Sequence, residues 1–354
     1  MTCIVSTWIW INAVPGLPGR ITVSFPVNVY CAAWLGAFVL SLVSLPFWRR
    51  FCFRFGIVDD PGHRKIHHQP TPLAGGFAVL TGIAAPLLVG VLLMRLHLLG
   101  GAGLNEQLVS HGFHPERRWF AMGVILLGAL AMLVLGGLDD KYELSPLPKF
   151  GGQLLIAAAV VSANVRITLF VPSLTFSYLI TILWILTLVN SFNFMDNMNG
   201  LCGGVGAICA SGFAVLAALQ GQFLVALLGL VTSGALVGFL PHNFPKAASF
   251  LGDAGSHLVG YLLAVMAILP HFYTTKNPHP WAVFVPLLIL AVPLGDLVSV
   301  VIIRWRLGKP FYVGDNNHLS HRLVRRGLAR SQAVLIIWLM SLAAGAAALL
   351  LMLR

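Results

Sequence analysis

The sequence predicts an all-α protein that crosses a membrane about ten times. Of its 354 residues, 58% are hydrophobic and only 9% are charged, whereas soluble domains carry roughly a quarter charged residues. Mean hydropathy is +0.88. Apolar runs of about 20 residues, the length that spans a bilayer as a helix, recur along the chain. They lie near residues 26–47, 74–98, 119–138, 151–170, 173–190, 201–219, 222–241, 257–273, 281–303 and 331–353. We expect one transmembrane unit over residues 1–354.

The lysines and arginines predict the orientation. If the segment after the first run is cytoplasmic, 15 of the 22 basic residues share that side, as the positive-inside rule requires. The cytoplasmic segments are then 48–73, 139–150, 190–200, 242–256 and 304–330. Both termini are expected outside, in a multi-pass protein of the inner (plasma) membrane. The basic excess then reflects topology and contact with anionic lipid or phosphate, and no basic stripe or recognition fold indicates nucleic acid.

The acidic residues concentrate on the same side. Eight of the 11 acidic residues lie there. Acidic residues contribute little to topology, so this concentration needs another cause. These eight are Asp59, Asp60, Asp139, Asp140, Glu143, Asp196, Asp253 and Asp315. An active site on the cytoplasmic face supplies that cause.

The first cytoplasmic segment carries Arg64, Lys65, His67 and His68 ahead of a Pro-Thr-Pro turn. Two interpretations fit this pattern. It is a basic anchor at the membrane surface, or a loop that binds phosphate, since Lys and Arg neutralise a diphosphate.

The third apolar run ends in Asp139 and Asp140, with Lys141 next and Lys149 after Ser-Pro-Leu-Pro. Adjacent carboxylates at a membrane surface suit a general base or the ligand of a hard cation. The alternative is a charged helix end without function. It is disfavoured because acids at a helix C-terminus oppose the helix dipole.

An amide-rich cluster lies between the fifth and sixth runs. Its polar members are Asn190, Asn193, Asp196, Asn197 and Asn199. Polar side chains beside a membrane span are costly unless they bind something, so the cluster indicates a site. A solvated connecting loop is the alternative.

The last two cytoplasmic segments add further candidates. Small residues around Asp253 let the backbone approach a phosphate, and Asp253 suits Mg²⁺. His318 and His321 are spaced i, i+3 with Arg322 beside them. Phosphate contact fits these three better than zinc, which needs more ligands. Asp296, the acid within the ninth run, could reach Arg304 or face the site, and the expected role is a buried structural pair.

These motifs, in this order, resemble the polyprenyl-phosphate N-acetylhexosamine-1-phosphate transferases. The resemblance covers about residues 49–330. It rests on RKIHHQPTPLAGG (64–76), DDK (139–141), NSFNFMDNMNGL (190–201), FLGDAGS (250–256) and HLSHRL (318–323). The last motif resembles the branch that uses UDP-N-acetylglucosamine. The phospho-N-acetylmuramoyl-pentapeptide transferase branch usually has three histidines in a row there.

The resemblance implies a phosphosugar transfer. The phosphate of undecaprenyl phosphate would attack the β-phosphate of a UDP-N-acetylhexosamine, releasing UMP. The product is a lipid-linked sugar diphosphate that starts a cell-envelope polysaccharide. Mg²⁺, or Mn²⁺ in its place, and basic side chains would offset the repulsion between two anionic substrates. Membrane lipid and a second copy of the chain, as a homodimer, are the other expected partners.

The same resemblance implies a role for each matched residue. The expected catalytic residues are Asp139, Asp140 and Asp196, and the expected metal ligand is Asp253. The expected nucleotide contacts are Asn190, Asn199, Asn243 and Phe250, with Phe250 stacking on uracil. The expected phosphate contacts are Lys65, Lys141, Asn193, His318, His321 and Arg322. Direct displacement and a phospho-aspartate intermediate both fit this set.

The chain departs from the family pattern in two places. The family often has Asp-Gly-x-Asp-Gly where this chain reads Asp-Asn-Met-Asn-Gly at 196–200. An amide still hydrogen-bonds a uracil edge. The usual His-Leu-His-His has Ser320 as its third residue here, so a three-histidine role is not expected.

The competing class is an ion-coupled secondary transporter. That class predicts ionisable residues in broken helices at mid-membrane and an internal repeat. The sequence has one acid within a predicted span, Asp296, and no repeat. The enzyme is therefore favoured.

Overall fold

Helices make up nearly all of the described chain, as predicted. The structure, a computed structural model, describes residues 26–59, 70–95, 115–168, 171–270, 280–310 and 316–353. Within these ranges the α-helices are α1 (Val27–Phe55), α2 (Gly75–Arg95), α3 (Pro115–Tyr142), α4 (Pro146–Ser162), α5 (Leu174–Met195), α6 (Leu201–Leu219), α7 (Phe223–Phe239), α8 (Gly252–Ile268), α9 (Val285–Ile289), α10 (Ala291–Arg306), α11 (Leu319–Arg325) and α12 (Arg330–Met352). Short 3-10 helices cover Leu240–His242 and Pro280–Phe284.

Each of the ten apolar runs falls on a helix, but the count of ten spans is not confirmed. Among the described residues, seven helices are long and apolar enough to cross a membrane. An eighth span results if Trp281–Ile289 and Ala291–Arg306, bent by 77°, count as one. Helices α4 and α8 have 17 residues each. At 1.5 Å per residue they are about 26 Å long, shorter than the roughly 30 Å hydrocarbon core.

Two helices begin earlier than predicted, and one predicted span is broken. Helix α4 runs from Pro146 to Ser162, since proline is favoured at the first position of a helix. Helix α8 begins at Gly252, so Asp253 lies in its first turn rather than in the preceding loop. The run at 281–303 divides at Leu290 into α9 and α10.

Helix α8 lies at the centre of the bundle. Nearly all of its residues are buried, and it packs against α2, α3, α5 and α6. Small residues permit close approach of helices in a membrane. A Cβ at Gly76 of α2 would overlap the backbone of Gly255, and a Cβ at Gly136 of α3 would overlap the carbonyl of Asp253. The first turn of α8 is therefore held by backbone contact on two sides.

One short antiparallel pair ties two loops together. Strand β1 (Val58–Asp59) pairs with β2 (Thr71–Pro72). The Phe250 N–H and the Ser249 hydroxyl both donate to the Pro72 carbonyl, at 3.0 and 2.8 Å. The loop before α2 therefore lies against the loop before α8.

Replacing Gly136 by alanine is expected to destabilise the protein, although alanine is the better helix former. Alanine favours a helix by roughly 1 kcal/mol over glycine, but overpacking costs about 1–3 kcal/mol. The new methyl group would meet the Asp253 carbonyl. Gly137 is the matched control, because a methyl group there would lie 3.5 Å from the Phe77 ring. Thermal unfolding in detergent should place Gly136→Ala below the wild type and Gly137→Ala at or above it. Equal midpoints for the two variants would contradict this packing.

Candidate active site

Loops at one end of the bundle enclose an open cleft of about 910 Å³. Its lining includes residues from all five segments that the sequence places on one side of the membrane. Asp139, Asp140, Asp196 and Asp253 all line it. The acids that stand out in the sequence therefore meet in one place.

Lys149 links three helices beneath this cleft. Its Nζ lies 2.6 Å from Asp139 Oδ2 and 2.5 Å from Asp253 Oδ2. It also donates a hydrogen bond to Asn193 Oδ1 at 3.2 Å. The side chain is 18% exposed, so these charges are only partly screened by water. One cation thereby joins α3, α5 and α8 to the start of α4.

Both carboxylate oxygens of Asp253 have partners. Oδ2 faces Lys149, and Oδ1 accepts a hydrogen bond from Asn193 Nδ2 at 2.7 Å. The same amide donates to Ser256 Oγ at 3.1 Å. A carboxylate has about four lone-pair sites, so Asp253 is fixed in orientation and still has lone pairs for a ligand in the cleft.

Asp140 caps the N-terminus of α8. Its Oδ1 accepts from the Asp253 N–H at 2.7 Å, and its Oδ2 accepts from the Ala254 N–H at 3.0 Å. The first N–H groups of a helix lack internal partners and carry partial positive charge, so a carboxylate stabilises them. Gly252 has φ +74°, and a Cβ there would meet Asp140 Oδ2, so glycine is needed. The sequence assigns Asp140 to catalysis, whereas in the structure both of its oxygens position Asp253.

Asp196 closes α5 at the edge of the cleft and is half-buried. Burial and then the negative charge of Asp253 raise the pKa of Asp196 to about 8, while a hydrogen bond from the Gly252 N–H acts in the opposite direction. Without a cation nearby, this acid is therefore largely protonated at neutral pH. A cation beside both acids would favour their ionised forms.

The donor set fits a hard cation such as Mg²⁺. Mg²⁺ in enzymes is usually held by one or two carboxylates, with waters and substrate phosphates completing its shell. Asp253 and Asp196 are close enough for the charge of one to act on the other, and they would supply these carboxylates. Across the ranges that the structure describes, no group of three His, Cys, Asp or Glu side chains forms a complete metal site.

Three basic side chains line the cleft together with the acids. They are Lys246, His321 and Arg330. Burial, followed by the charges of His318 and Arg325, lowers the pKa of His321. His321 is therefore mostly neutral at pH 7 and offers a hydrogen bond rather than a charge.

Asp296 anchors the segment that carries His321. Its Oδ2 lies 2.8 Å from His318 Nδ1, and its Oδ1 accepts from the Leu319 N–H at 2.6 Å. Asp296 and His318 are both buried. Asp296 thus forms a buried pair as predicted, and its partner here is His318, a predicted phosphate contact that does not line the cleft. The pair holds the start of α11 against α10.

Eight of the predicted site residues line the cleft. They are Asp139, Asp140, Asp196, Asn199, Asn243, Phe250, Asp253 and His321. Asn193 lies directly beneath, bonded to Asp253. The sequence pattern therefore identified four of the acids on this surface and about a third of the residues that line it.

Other predicted residues lie away from the cleft. Lys141 is exposed, with its ammonium 5.2 Å from the centre of the Tyr142 ring. Arg322 donates to Ser299 Oγ at 3.0 Å. Asn190 lies deeper in the bundle, bonded to Gln153. The predicted phosphate contact Lys65 lies outside the described residues.

Two of the predicted nucleotide contacts also shape the loops. The buried Asn243 accepts from the Gly200 N–H at 2.6 Å and donates to the Ser249 carbonyl at 2.9 Å. Asn199 donates to the Pro245 carbonyl at 3.2 Å. These bonds hold the turn before α6 against the loop before α8.

Sequence motifs assign no role to Lys149, Gln153, Lys246 or Arg330. The signal that would have found Lys149 is Pro146, since proline marks a helix start. A helix that begins there puts Lys149 in its first turn, a short loop away from Asp139. Gln153 then follows one turn deeper on the same face.

Comparison with known proteins identifies the class. The profile of glycosyl transferase family 4 matches residues 122–271. The probable undecaprenyl-phosphate N-acetylglucosaminyl 1-phosphate transferase of Bacillus subtilis is 34% identical over 315 residues, covering 86% of this chain and 80% of that protein. The decaprenyl-phosphate N-acetylglucosaminephosphotransferase of Mycolicibacterium smegmatis is 30% identical over 340 residues, covering 89% and 80%.

A third relative is more distant. The undecaprenyl-phosphate alpha-N-acetylglucosaminyl 1-phosphate transferase of Escherichia coli K12 is 26% identical over 321 residues, covering 86% of this chain and 79% of that protein. The chain belongs to glycosyl transferase family 4, and the prediction of the family is confirmed. The names of these relatives agree with the N-acetylglucosamine branch.

Removing the Asp140 carboxylate is expected to destabilise the fold. Asp140→Ala leaves two backbone N–H groups at the start of α8 without their partner, and an unsatisfied buried donor costs about 1–3 kcal/mol. Glu143→Ala is the control, because Glu143 is an exposed acid that lines the same cleft. Thermal unfolding should show a lower midpoint for Asp140→Ala alone. If Asp140→Ala unfolds at the wild-type temperature, the carboxylate does not cap α8.

Proposed function

We propose that this chain transfers N-acetylglucosamine 1-phosphate from UDP-N-acetylglucosamine to undecaprenyl phosphate, at the cytoplasmic face of the plasma membrane. The observation that carries the proposal is a cleft at one end of a membrane bundle whose acids Asp139 and Asp253 are joined from beneath by Lys149. Relatives named as N-acetylglucosamine phosphotransferases of polyprenyl phosphates support the donor and the acceptor. The product is a lipid-linked sugar diphosphate that begins a cell-envelope polysaccharide.

The reaction exchanges one phosphorus–oxygen bond for another. An oxygen of the lipid phosphate bonds to the β-phosphorus of the donor, and the bond from that phosphorus to the oxygen bridging the two phosphates breaks. UMP leaves with the bridging oxygen and its electron pair. Both reactants are anionic, so a site with fixed charges and dipoles lowers the barrier mainly by electrostatic stabilisation.

The protein side chains divide this work. Asp139, held by Lys149 and by the Leu144 N–H at 2.8 Å, is placed to accept a proton from the lipid phosphate. Lys149 supplies positive charge where the two phosphates approach. His321 and Arg330 line the same cleft and contact the diphosphate.

Different side chains of the cleft would hold the metal and the nucleotide. Asp253 and Asp196 would hold Mg²⁺, or Mn²⁺ in its place, which would supply positive charge to the diphosphate. Phe250 stacks on the uracil ring, as aromatic side chains do with bases. Asn199 hydrogen-bonds the edge of the base.

The transporter alternative has one feature in its favour, the broken helix pair. A break beside a membrane acid is typical of transporter sites, and Asp296 follows the break at Leu290 closely. However, each oxygen of Asp296 already has a partner on the segment that starts α11. The acid is used to hold a loop in place, and the family relationship also favours the enzyme.

The experiment that tests the proposal identifies the released nucleotide. Purified protein in detergent is incubated with undecaprenyl phosphate, Mg²⁺ and a panel of UDP-sugars. We expect UMP from UDP-N-acetylglucosamine, and none when the lipid phosphate is omitted or the metal is chelated. Release of UDP would indicate ordinary glycosyl transfer, and no nucleotide from any donor would overturn the proposal.

We also propose, from the family, that the protein forms a homodimer. Light scattering on the same preparation tests this.

Lys149 and Lys141 give a matched pair of variants. Lys149→Met removes the cation between two carboxylates, and loss of one charge-stabilising donor costs roughly 100-fold or more in turnover. Lys141→Met removes an exposed lysine outside the cleft and should leave UMP release close to wild type. Both proteins must elute as single species in detergent. If Lys141 binds phosphate, as the sequence predicts, Lys141→Met should lower UMP release instead. The two variants therefore show which of the two lysines acts on the phosphates.

Asp253 and Glu143 give a second pair, aimed at the metal. Asp253→Asn is expected to raise the Mg²⁺ concentration needed for half-maximal UMP release and to lower turnover by roughly 100-fold, because a neutral amide binds a hard cation poorly. Glu143→Gln changes an exposed acid of the same cleft and should not shift the Mg²⁺ dependence. An unchanged Mg²⁺ titration for Asp253→Asn would remove this residue from the metal site.

A further inference from the structure

A second layer of polar side chains lies one helical turn below the site. The upper layer consists of Lys149 on α4, Asn193 on α5 and Asp253 on α8, which are bonded to one another. The lower layer consists of Gln153 on α4, Asn190 on α5 and His257 on α8. Each lower residue is three or four positions from its upper counterpart, in the direction away from the cleft. Residues at this spacing share a helix face, so the two layers are stacked on the same three helices.

The lower layer is a connected chain of hydrogen bonds. Asn190 Nδ2 donates to Gln153 Oε1 at 2.8 Å, and Gln153 Nε2 lies 3.3 Å from His257 Nε2. Gln153 and His257 are both 0% exposed. Gln153 is therefore the shared partner that connects α5 to α8 through α4.

The direction of these bonds fixes the state of His257. Because the Gln153 oxygen accepts from Asn190, its NH₂ group faces the imidazole. An NH₂ group only donates, so His257 Nε2 accepts and the ring is neutral with its proton on Nδ1. Among the described residues, Nδ1 has no hydrogen-bond partner. The imidazole therefore forms its hydrogen bond with Gln153.

A polar layer at this depth is costly and needs a reason. Buried polar groups cost free energy unless they are paired, and hydrogen bonds between helices add only modest stability to a membrane bundle. The best-attested role of buried polar groups is to select one register between helices. Here the register decides whether Lys149, Asn193 and Asp253 meet.

We propose that Gln153, through Asn190 and His257, is a positioning residue that sets the rotation and depth of α4, α5 and α8 and so assembles the upper layer. The proposal rests on the transferase function for its kinetic readout. A displacement of about 1 Å at a reacting group can lower turnover roughly 100-fold. Loss of the lower layer should therefore reduce kcat while the KM for the sugar nucleotide stays near wild type, because no lower-layer residue lines the cleft.

The kinetic test uses Gln153→Met with two variants of its partner. Gln153→Met is expected to lower kcat by roughly 10- to 100-fold, with an unchanged KM and a modestly lower unfolding midpoint, because the buried His257 loses its partner. His257→Leu should behave in the same way, whereas His257→Gln restores an acceptor for Gln153 and should retain kcat. Since the two His257 variants differ in that acceptor, they carry the test if Gln153→Met fails to fold. Equal kcat values for His257→Leu and His257→Gln would overturn the proposal.

A second readout does not depend on the transferase function. Lys149 is paired with two carboxylates, so an amine-acylating reagent should modify it slowly. Gln153→Met should increase the modification rate of Lys149 several-fold, measured by mass spectrometry, while the rate at the exposed Lys141 stays constant. An unchanged Lys149 rate overturns the positioning role. If the wild type releases no UMP but Lys149 becomes more reactive in the variant, the transferase proposal fails and the positioning role stands.

A change in KM with unchanged kcat would also overturn the proposal, because it would mean that the lower layer contacts the donor. If the unfolding midpoint of Gln153→Met falls so far that unfolding accounts for the lost activity, the lower layer only stabilises the fold. That outcome would also overturn the proposal.

Discussion

The N-terminus of α8 is the constraint on which the site depends. Nearly all of this helix is buried, and its first N–H groups have no partners within the helix. The Asp140 carboxylate supplies them from α3, and Gly136 on the same helix lets the two backbones touch. Asp253 is the residue whose N–H is capped, and its side chain is therefore brought to a fixed place beside Asp139.

The charges of the site follow from that arrangement. Several carboxylates in one cleft repel one another, and the structure offsets this repulsion in different ways. Asp139 and Asp253 share the ammonium of Lys149, Asp140 faces the positive end of a helix dipole, and Asp196 has a pKa raised to about 8. Among these described groups, Asp140 and Asp196 have no cation as a partner, and the metal that we propose at Asp196 and Asp253 would supply positive charge there.

Sequence reasoning predicted the helices well and their roles less well. Each of the ten apolar runs overlaps a helix of the described chain, because burial in a membrane requires continuous hydrophobicity. They could not show that α8 begins at Gly252 or that the run at 281–303 is broken at Leu290. Hydropathy shows which residues are apolar, but it does not show where a helix starts or bends. Eight motif residues line the cleft, but the sequence assigned Asp140 to catalysis and Asn190 to the nucleotide, whereas their side chains bond to other helices. Whether a polar side chain faces a ligand or another helix depends on tertiary contacts that one sequence does not contain.

The two segments that depart from the family pattern contact each other in three dimensions. Ser320 stands where the family usually has histidine, and Asn197 lies two residues before Asn199, the amide that replaces the second acid. The Ser320 hydroxyl donates to Asn197 Oδ1 at 2.6 Å, and Asn197 Nδ2 donates to the Phe194 carbonyl at 2.8 Å. The buried Ser320 hydroxyl is thereby satisfied. The contact joins the turn that carries Asp196 to the start of α11, which presents His321 to the cleft. The serine therefore has a structural role at this position that needs no third histidine.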